Sequence, residues 1–225
     1  MITEGVTIIM KAIISETANN KLIEYIEGLG LPVEKVPNHN GSPIGTHADL
    51  YYCQLHAGNG SNNVFTGDLN LVGMAYPEDC IYNAACTGKH FIHNTNITHP
   101  DLLAAARSSG MNVIHVKQGY AKCSCVLVDE NSIITSDAGI AKACKDKLDC
   151  LLISPGNILL EGFEYGFPGG CSGRIDDEII FNGNLAAHPN CREITGFIRS
   201  RGLRVKYFSD YPLTDIGSII YCTDQ

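Results

Sequence analysis

A block recurs imperfectly along this chain: a segment with the apolar spacing of an amphipathic helix, then a glycine, then a short β-branched strand. The copies span residues 18–36, 99–116 and 188–208. Gly30, Gly110 and Gly202 follow the helical segments, at the position where a left-handed residue commonly ends a helix. A recurring unit of this kind constrains the fold strongly, because each unit must bury its apolar face against a neighbour.

The spacing of these glycines predicts additional units. Gly110 lies 80 residues after Gly30, and Gly202 lies 92 residues after Gly110, which is about twice the length of one strand–strand–helix–strand (ββαβ) unit. Pro100 and Pro189 fit the first turn of the second and third helices, where a missing N–H costs nothing. We therefore expect one further unit between each pair of glycines.

The residue pattern places strands and helices within these units. Strands are expected at 47–53, 64–66, 79–85, 90–93, 113–116, 123–128, 132–135, 150–154, 172–175, 179–181 and 205–208. A helix is expected at 138–147, and the unit that contains 47–53 has none.

The two ends of the sequence are expected to complete one another. Residues 6–10 have the pattern of the second strand of a ββαβ unit, with no first strand before them. Residues 215–222 have the pattern of a first strand, with no second strand after them. Pairing them gives five ββαβ units in one domain, residues 1–225. The predicted fold is α/β, a closed five-unit ring in which the C-terminal strand closes the first unit and leaves no free edge.

Charge and composition exclude several classes of partner. The formal net charge of -8 and the pI near 5.4 disfavour nucleic acid, whose phosphates need a basic face. No apolar run approaches the roughly 20 residues of a membrane-spanning helix, and the first residues lack the basic region of a signal peptide. No phosphate-binding G-x-G-x-x-G is present. We expect a cytoplasmic protein without a cofactor.

Ten cysteines suggest either buried thiols or a metal site. Most lie in apolar stretches, which is typical of free cysteines in a reducing compartment. Cys80, Cys86, His90 and His93 form the alternative, a zinc site. The two histidines differ in parity along a strand, and no paired C-x-x-C is present, so no metal is expected.

A closed ring of five ββαβ units resembles the pentein fold of the guanidino-group-modifying enzymes. Residues 45–49, 118–123 and 211–218 also resemble a bacterial family of unknown function assigned to that fold. The resemblance implies a cysteine on the closing strand that attacks a guanidinium carbon, and a histidine in the fourth unit as acid and base. It also implies carboxylates that hold the cation at the second and third units.

The sequence matches this pattern only in part. Asp49, with His47 two residues before it, takes the carboxylate role in the second unit, and Glu78 and Asp79 take it in the third. No histidine lies within residues 120–123. The closing strand has Ser218, after Gly217, where the enzymes have cysteine. Guanidine hydrolysis and amidino transfer therefore lack both expected central groups.

Other residues offer different chemistry at the central cavity of the predicted ring. Cys171 follows Gly169 and Gly170, which permit close backbone approach to a ligand, so it is a candidate nucleophile with His47 as base and Asp215 as orienter. The alternative is that Cys171 only packs. Two cations are candidates for binding an anionic group or for pairing with core carboxylates. These are Lys122 and Arg174.

Two functions from different classes follow. The first is a polar pocket that binds or modifies a small cationic or zwitterionic guanidino or amino compound, with C–N hydrolase or amidinotransferase chemistry if the protein is an enzyme. The expected contact residues are Asp49, Glu78, Asp79, Lys122, Arg174, Asp215 and Ser218. The second is a non-catalytic scaffold that binds a protein or a metabolite. A thiol-rich metal or redox protein is a third reading.

Overall fold

The computed structural model of this protein describes residues 10–56 and 63–223, and over these the chain is a mixed α/β protein. The α-helices are α1 (Asn20–Gly28), α2 (Pro100–Ser108), α3 (Ala121–Ser124), α4 (Ala138–Cys144) and α5 (Cys191–Arg199). The strands are β1 (Met10–Ser15), β2 (Val33–Val36), β3 (Tyr52–Gln54), β4 (Val64–Thr66), β5 (Ala85–Cys86), β6 (His90–His93), β7 (Asn112–His115), β8 (Cys125–Asp129), β9 (Ser132–Thr135), β10 (Asp149–Leu152), β11 (Ser172–Ile175), β12 (Glu178–Phe181), β13 (Arg204–Lys206) and β14 (Ile220–Thr223).

These strands form five small sheets. Four of them have three strands, in the orders β14-β1-β2, β5-β6-β7, β8-β9-β10 and β11-β12-β13, and the fifth is the pair β3-β4. In each three-stranded sheet the central strand pairs antiparallel with one neighbour and parallel with the other. A helix connects each parallel pair, because parallel neighbours need a crossover connection.

One strand from each sheet contacts a strand of the next. β14 contacts β3, β3 contacts β5, β5 contacts β8, β8 contacts β11, and β11 contacts β14. Strand β14 also pairs antiparallel with β1, with Met10 opposite Thr223 and Ile13 opposite Ile220. Within the described residues no single sheet closes on itself through hydrogen bonds.

The helices are held by the apolar faces that the sequence predicts. Helix α1 begins after Asn19, whose side chain accepts a hydrogen bond from the Lys21 amide, and it buries Leu22 and Ile26. Helix α5 buries Ile194 and Ile198, four residues apart on one face. Full burial of each such side chain stabilises the fold by about 1.5–3 kcal/mol, so packing against the sheets stabilises these short helices.

The ends of the helices agree with the sequence prediction at the glycines and differ at one proline. Gly30, Gly110 and Gly202 have φ values of 83°, 74° and 74°, which confirms the left-handed helix ends. Pro100 is the first residue of α2, as expected. Pro189 is not in the first turn of α5, because Asn190 is the N-cap and the helix begins only at Cys191.

The segments expected to be the beginnings of strands are turns instead. Residues 48–50 and 78–80 form 3₁₀ turns, and residues 121–124 form α3. The strand expected from residue 215 begins only at Ile220. Amides in the turn at 48–50 and in α3 donate to distant segments and not to a neighbouring strand. The Asp49 amide donates to Gly217 O, and the Lys122 amide donates to Asn83 O. Residues 6–9 of the expected first strand lie outside the described residues.

The ten cysteines all lie in the described residues, none of them forms a disulfide bond, and eight are buried. This agrees with the prediction of buried thiols, since a free cysteine behaves as a small apolar residue. Within residues 10–56 and 63–223 no helix combines the length and apolar character needed to cross a bilayer.

His93 connects three parts of the fold at the end of β6. Its side chain is fully buried, and its ring nitrogens lie 2.7 Å from Thr98 Oγ1 and 2.7 Å from Gly119 O. Burial lowers the pKa of His93 to about 4. The imidazole is therefore neutral in the folded protein at pH values where an unfolded histidine is already charged.

His93 should make the protein sensitive to mild acid. Its folded pKa of about 4 lies below the ordinary 6.5, so its contribution is complete above pH 6.5 and is lost as the pH falls toward 4. The loss amounts to on the order of 3 kcal/mol. We expect the difference in free energy of unfolding between the wild type and His93→Asn to shrink over this range, as measured by urea denaturation. The control is His115→Asn, the exposed residue paired with His93 on β7. A difference that stays constant from pH 7 to pH 4 contradicts this role.

Candidate functional site

A pocket of about 180 Å³ lies where several of these turns meet. Its lining residues are Ile44, His47, Tyr120, Cys123, Leu160, Phe163, Tyr165, Phe167 and Asp215. Three of them, the buried polar residues His47 and Asp215 and the buried thiol Cys123, we call the pocket floor. Phe163 and Tyr165 are the exposed members, at 50% and 37%, and lie at the mouth. The accessible surface of the pocket is therefore mostly apolar, and the polar atoms of its floor are almost fully buried.

His47 is fixed by a close backbone contact. It precedes the turn at residues 48–50, and only 5% of it is exposed. Gly217, with φ of +69°, packs so tightly against it that a Cβ at position 217 would overlap the His47 side chain. The His47 Nδ1 atom lies 3.9 Å from Asp215 Oδ1 and has no hydrogen-bond partner among the described residues. One edge of this imidazole is thus buried and unsatisfied.

Asp215 is held by backbone amides. The Phe167 amide donates to Oδ2 at 2.8 Å and the Gly217 amide donates to Oδ1 at 3.0 Å. Burial raises the pKa of the Asp215 carboxyl, while His47 and the two amides act in the opposite direction. Gly170 approaches this carboxyl so closely that a Cβ there would overlap it. The glycine pair expected to make room for a ligand therefore makes room for Asp215.

Behind the floor lies a set of four buried residues that we call the central cluster: Asp49, Lys122, Cys123 and Ser218. Lys122 Nζ donates to Ser218 Oγ at 2.8 Å, and Ser218 Oγ donates to Asp49 Oδ2 at 2.5 Å. The Cys123 thiol donates to the same Asp49 oxygen at 3.0 Å. The other oxygen, Asp49 Oδ1, is buried without a partner among the described residues.

Asn83 connects the segments that carry this cluster. Its Nδ2 donates to Asp49 O at 3.2 Å, and its Oδ1 accepts from the Lys122 and Cys123 amides at 2.9 and 3.2 Å. Asn83 was not predictable from the sequence, because its role depends on long-range contacts with backbone groups and on no local motif.

Electrostatics keep the Cys123 thiol protonated in the free protein. Burial is the main cause of its raised pKa, and the neighbouring Asp49 and Asp215 carboxylates raise it further. In their ionised forms these carboxylates carry two negative charges against the one positive charge of Lys122. One negative charge is then in excess, and a cationic ligand would balance it.

The structure brings together five of the residues predicted from the sequence: His47, Asp49, Lys122, Asp215 and Ser218. It does so differently from the prediction, since His47 and Asp49 lie in a turn and not on one face of a strand. It also brings in Cys123, which was predicted only to begin a strand. Two features of the sequence could have indicated a role for Cys123: it directly follows Lys122, and it lies in the segment 118–123 identified by resemblance.

The other predicted residues lie elsewhere. Cys171 is fully buried among apolar side chains, with its thiol donating to Pro168 O at 3.2 Å, and it is not part of the pocket lining in the described structure. Glu78 is exposed. Asp79 is buried and accepts a hydrogen bond from the pocket-lining residue Tyr120 at 2.5 Å. Arg174 donates to Val128 O at 2.7 Å.

The zinc ligands considered from the sequence are engaged separately. Both His93 nitrogens have partners, the Cys80 thiol donates to Pro77 O, and Cys86 Sγ lies 3.6 Å from Cys53 Sγ. His90 is buried, and its ring nitrogens have no partner within the described residues. These four residues therefore do not form a shared site.

One known protein family matches this chain over most of its length. The profile described as "Family of unknown function (DUF6873)" matches residues 13–220. Because this is most of its length, the chain belongs to that family. Comparisons with curated proteins and with solved structures find no match.

Gly217 should be the least replaceable glycine at this site. Gly217→Ala combines the left-handed backbone cost, about 1–2 kcal/mol, with overpacking against His47, about 1–3 kcal/mol. Gly156→Ala is the control, because Gly156 has a similar φ of +87° with nothing within 4 Å of an added Cβ. We expect Gly217→Ala to lower the free energy of unfolding by at least about 1 kcal/mol more than Gly156→Ala, as measured by urea denaturation. Equal losses contradict the described contact.

Proposed function

We propose that this member of the DUF6873 family binds a small organic cation, a guanidinium or amine compound, in the pocket above His47, Cys123 and Asp215. The observation that carries the proposal is that one pocket is lined by a buried carboxylate, Asp215, and by four aromatic side chains.

The proposed fold is the closed five-unit ring of the pentein resemblance. Its support is the order of contacts from β14 through β3, β5, β8 and β11 back to β14. The pairing of β1 with β14 and the shared strand order of four sheets support it as well. In such a ring the turns before these strands converge on the axis. That convergence accounts for the meeting of residues far apart in sequence, such as Asp49 and Ser218.

The charge and shape of the pocket favour a cation. Tyr120, Phe163, Tyr165 and Phe167 line the pocket, and an aromatic ring face attracts a cation by about 0.5–2 kcal/mol. Both oxygens of the Asp215 carboxylate already accept hydrogen bonds from backbone amides, so Asp215 would act on a ligand through its charge and not as a bidentate partner. A bound cation favours the ionised form of Asp215, against the burial that raises its pKa, whereas an anion disfavours it.

The volume limits the size of the ligand. A space of about 180 Å³ is below the roughly 300–1,000 Å³ of pockets for drug-sized ligands. The proposed ligand is therefore small, a short alkylguanidinium or alkylamine and not a nucleotide or a peptide segment.

A second candidate function is hydrolysis of the bound guanidinium, with Cys123 as nucleophile in place of Cys171. Cys123 lines the pocket, and its Sγ lies within 4.8 Å of a His47 ring nitrogen. His47 would take the thiol proton as the sulfur attacks the guanidinium carbon and the C=N electron pair moves to nitrogen. A C–N bond would then break, and the departing amine or ammonia would take the proton back from His47. Water would next attack the thiouronium carbon, giving a proton to His47, and the C–S bond would break to release a urea and restore the thiol. A bound cation favours this step because it lowers the pKa of the Cys123 thiol. Amine or ammonia release by the wild type and not by Cys123→Ala distinguishes an enzyme from a binding scaffold.

Cation selectivity tests the first function. We expect n-butylguanidinium to bind measurably by isothermal titration calorimetry, and the neutral isostere n-butylurea to bind at least tenfold more weakly, since it lacks the charge. Tyr165→Leu should weaken binding of the cation by roughly two- to thirtyfold through the lost ring contact. Tyr207→Leu is the matched control, because Tyr207 is equally exposed, at 36% against 37%, and does not line the pocket.

Two results contradict the proposal. One is equal affinity for n-butylguanidinium and n-butylurea, which would make the pocket an apolar site. The other is an equal effect of Tyr165→Leu and Tyr207→Leu on binding of the cation. All samples contain a chelator, so that metal ions play no part in this measurement.

A further inference from the structure

Three different metal-ligating groups meet between the pocket and the central cluster. One ligand atom each from His47, Asp49 and Cys123 lies within 4.8 Å of the other two. The three residues are 5%, 0% and 3% exposed. Such a mixed, buried set differs from the exposed acidic groups that occur on many protein surfaces, because burial of polar groups is costly without a partner.

Two buried atoms of this set lack partners. Asp49 Oδ1 and His47 Nδ1 have no hydrogen bond to any described residue. An unsatisfied buried polar atom costs about 1–3 kcal/mol, and most such atoms in folded proteins are satisfied. Asp49 Oδ2, in contrast, already accepts from Ser218 and Cys123. The unpaired Asp49 oxygen therefore remains available to a ligand.

The donor set selects the class of metal. Imidazole nitrogen, thiolate sulfur and carboxylate oxygen are the three ligand types of Zn²⁺ in proteins. A thiolate disfavours Mg²⁺ and Ca²⁺, which take oxygen ligands. Sites with three protein ligands keep one position open. His47 and Cys123 line the pocket, so an open position at this set faces the pocket and not the core.

We propose that His47, Asp49 and Cys123 bind one divalent transition-metal ion of the Zn²⁺ class, with its open coordination position facing the pocket. On binding, the S–H bond of Cys123 breaks, a metal–sulfur bond forms and the proton leaves to solvent. Affinity therefore rises with pH. Ser218 supports the site from outside, since its hydroxyl donates to Asp49 Oδ2 at 2.5 Å.

The charge balance agrees with this ion. Ionised Asp49 and Asp215 with the Lys122 ammonium sum to one negative charge. Adding a divalent cation and converting the Cys123 thiol to a thiolate brings the sum to zero. The metal and an organic cation balance the same excess charge, so the two ligands should compete at the pocket floor. The metal site does not depend on the proposed binding of an organic cation.

Cobalt titration of the reduced, chelator-stripped full chain tests the site. We expect one Co²⁺ per chain, with a thiolate-to-cobalt charge-transfer band that Zn²⁺ abolishes. Cys123→Ser should eliminate the band, and His47→Gln and Asp49→Asn should each weaken Co²⁺ binding by more than about 100-fold. Ser218→Ala should weaken it by about 10- to 100-fold, as expected of a residue that positions a ligand. Cys191→Ser, a half-buried cysteine outside the site, should leave the band unchanged.

Absence of the charge-transfer band in the folded wild type overturns the proposal. So does a band that persists in Cys123→Ser, or unchanged Co²⁺ affinity in both His47→Gln and Asp49→Asn. Circular dichroism establishes which variants fold, and His47→Gln tests the site even where Cys123→Ser is unfolded. The calorimetry with n-butylguanidinium uses metal-free protein, so failure of either proposal is recognised separately.

Co²⁺-loaded wild type should bind n-butylguanidinium at least tenfold more weakly than the metal-free form.

Discussion

The interaction on which the site depends is the bridge from Lys122 through Ser218 to Asp49. It joins Asp49 to a residue 169 positions later, and Lys122 to the same residue 96 positions later. Buried ionised groups are tolerated only where partners satisfy them. A hydroxyl between an ammonium and a carboxylate does this for both ends: it accepts from Lys122 and donates to Asp49. The chain segments that carry Asp49, Lys122 and Ser218 are thereby held together.

The placement of the reactive groups follows from this bridge. Asp49 Oδ2 accepts from Ser218 and also from the Cys123 thiol, so the carboxylate that anchors the cluster also holds the sulfur of a residue that lines the pocket. Ser218 has a left-handed backbone with φ of 71°, which is strained for a residue with a side chain. Gly217, just before it, packs against His47. Strain and close packing thus lie together directly behind the pocket floor.

Local signals made the regular elements predictable. Helix α5 has apolar residues at helical spacing and ends before a glycine with φ of 74°. The strands at 90–93 and 132–135 each have two central apolar residues and are flanked by turn residues. The turn at residues 48–50 was not predictable, because the Asp49 amide donates to Gly217 O, which is far away in the sequence. The apolar run through Tyr52 and Cys53 suggested an earlier start to the strand. Burial of the Asp49 carboxylate against Ser218 determines the observed turn.

The candidate site was predictable in its charged residues and not in its cysteine. Asp49, Lys122 and Asp215 were identified as charged residues near expected strand starts, where such residues are conspicuous among apolar neighbours. Ser218 was identified by resemblance, as the residue on the closing strand where the enzymes have cysteine. Cys123 and Cys171 both lie near expected strand starts, and a sequence does not rank which thiol reaches a cavity. The difference arises from long-range contacts: Cys171 packs in an apolar cluster, whereas Asn83 holds the Cys123 backbone beside Asp49.

A double-mutant cycle between Asp49→Asn and Lys122→Met tests the central bridge most directly. Each single variant leaves one buried charge without its partner, and we expect each to lower the free energy of unfolding by about 3–5 kcal/mol. The double variant removes both charges, so its loss should be at least about 2 kcal/mol smaller than the sum of the single losses. Additive losses, within about 0.5 kcal/mol, would show that Lys122 and Asp49 do not depend on one another, and would contradict this account of the site.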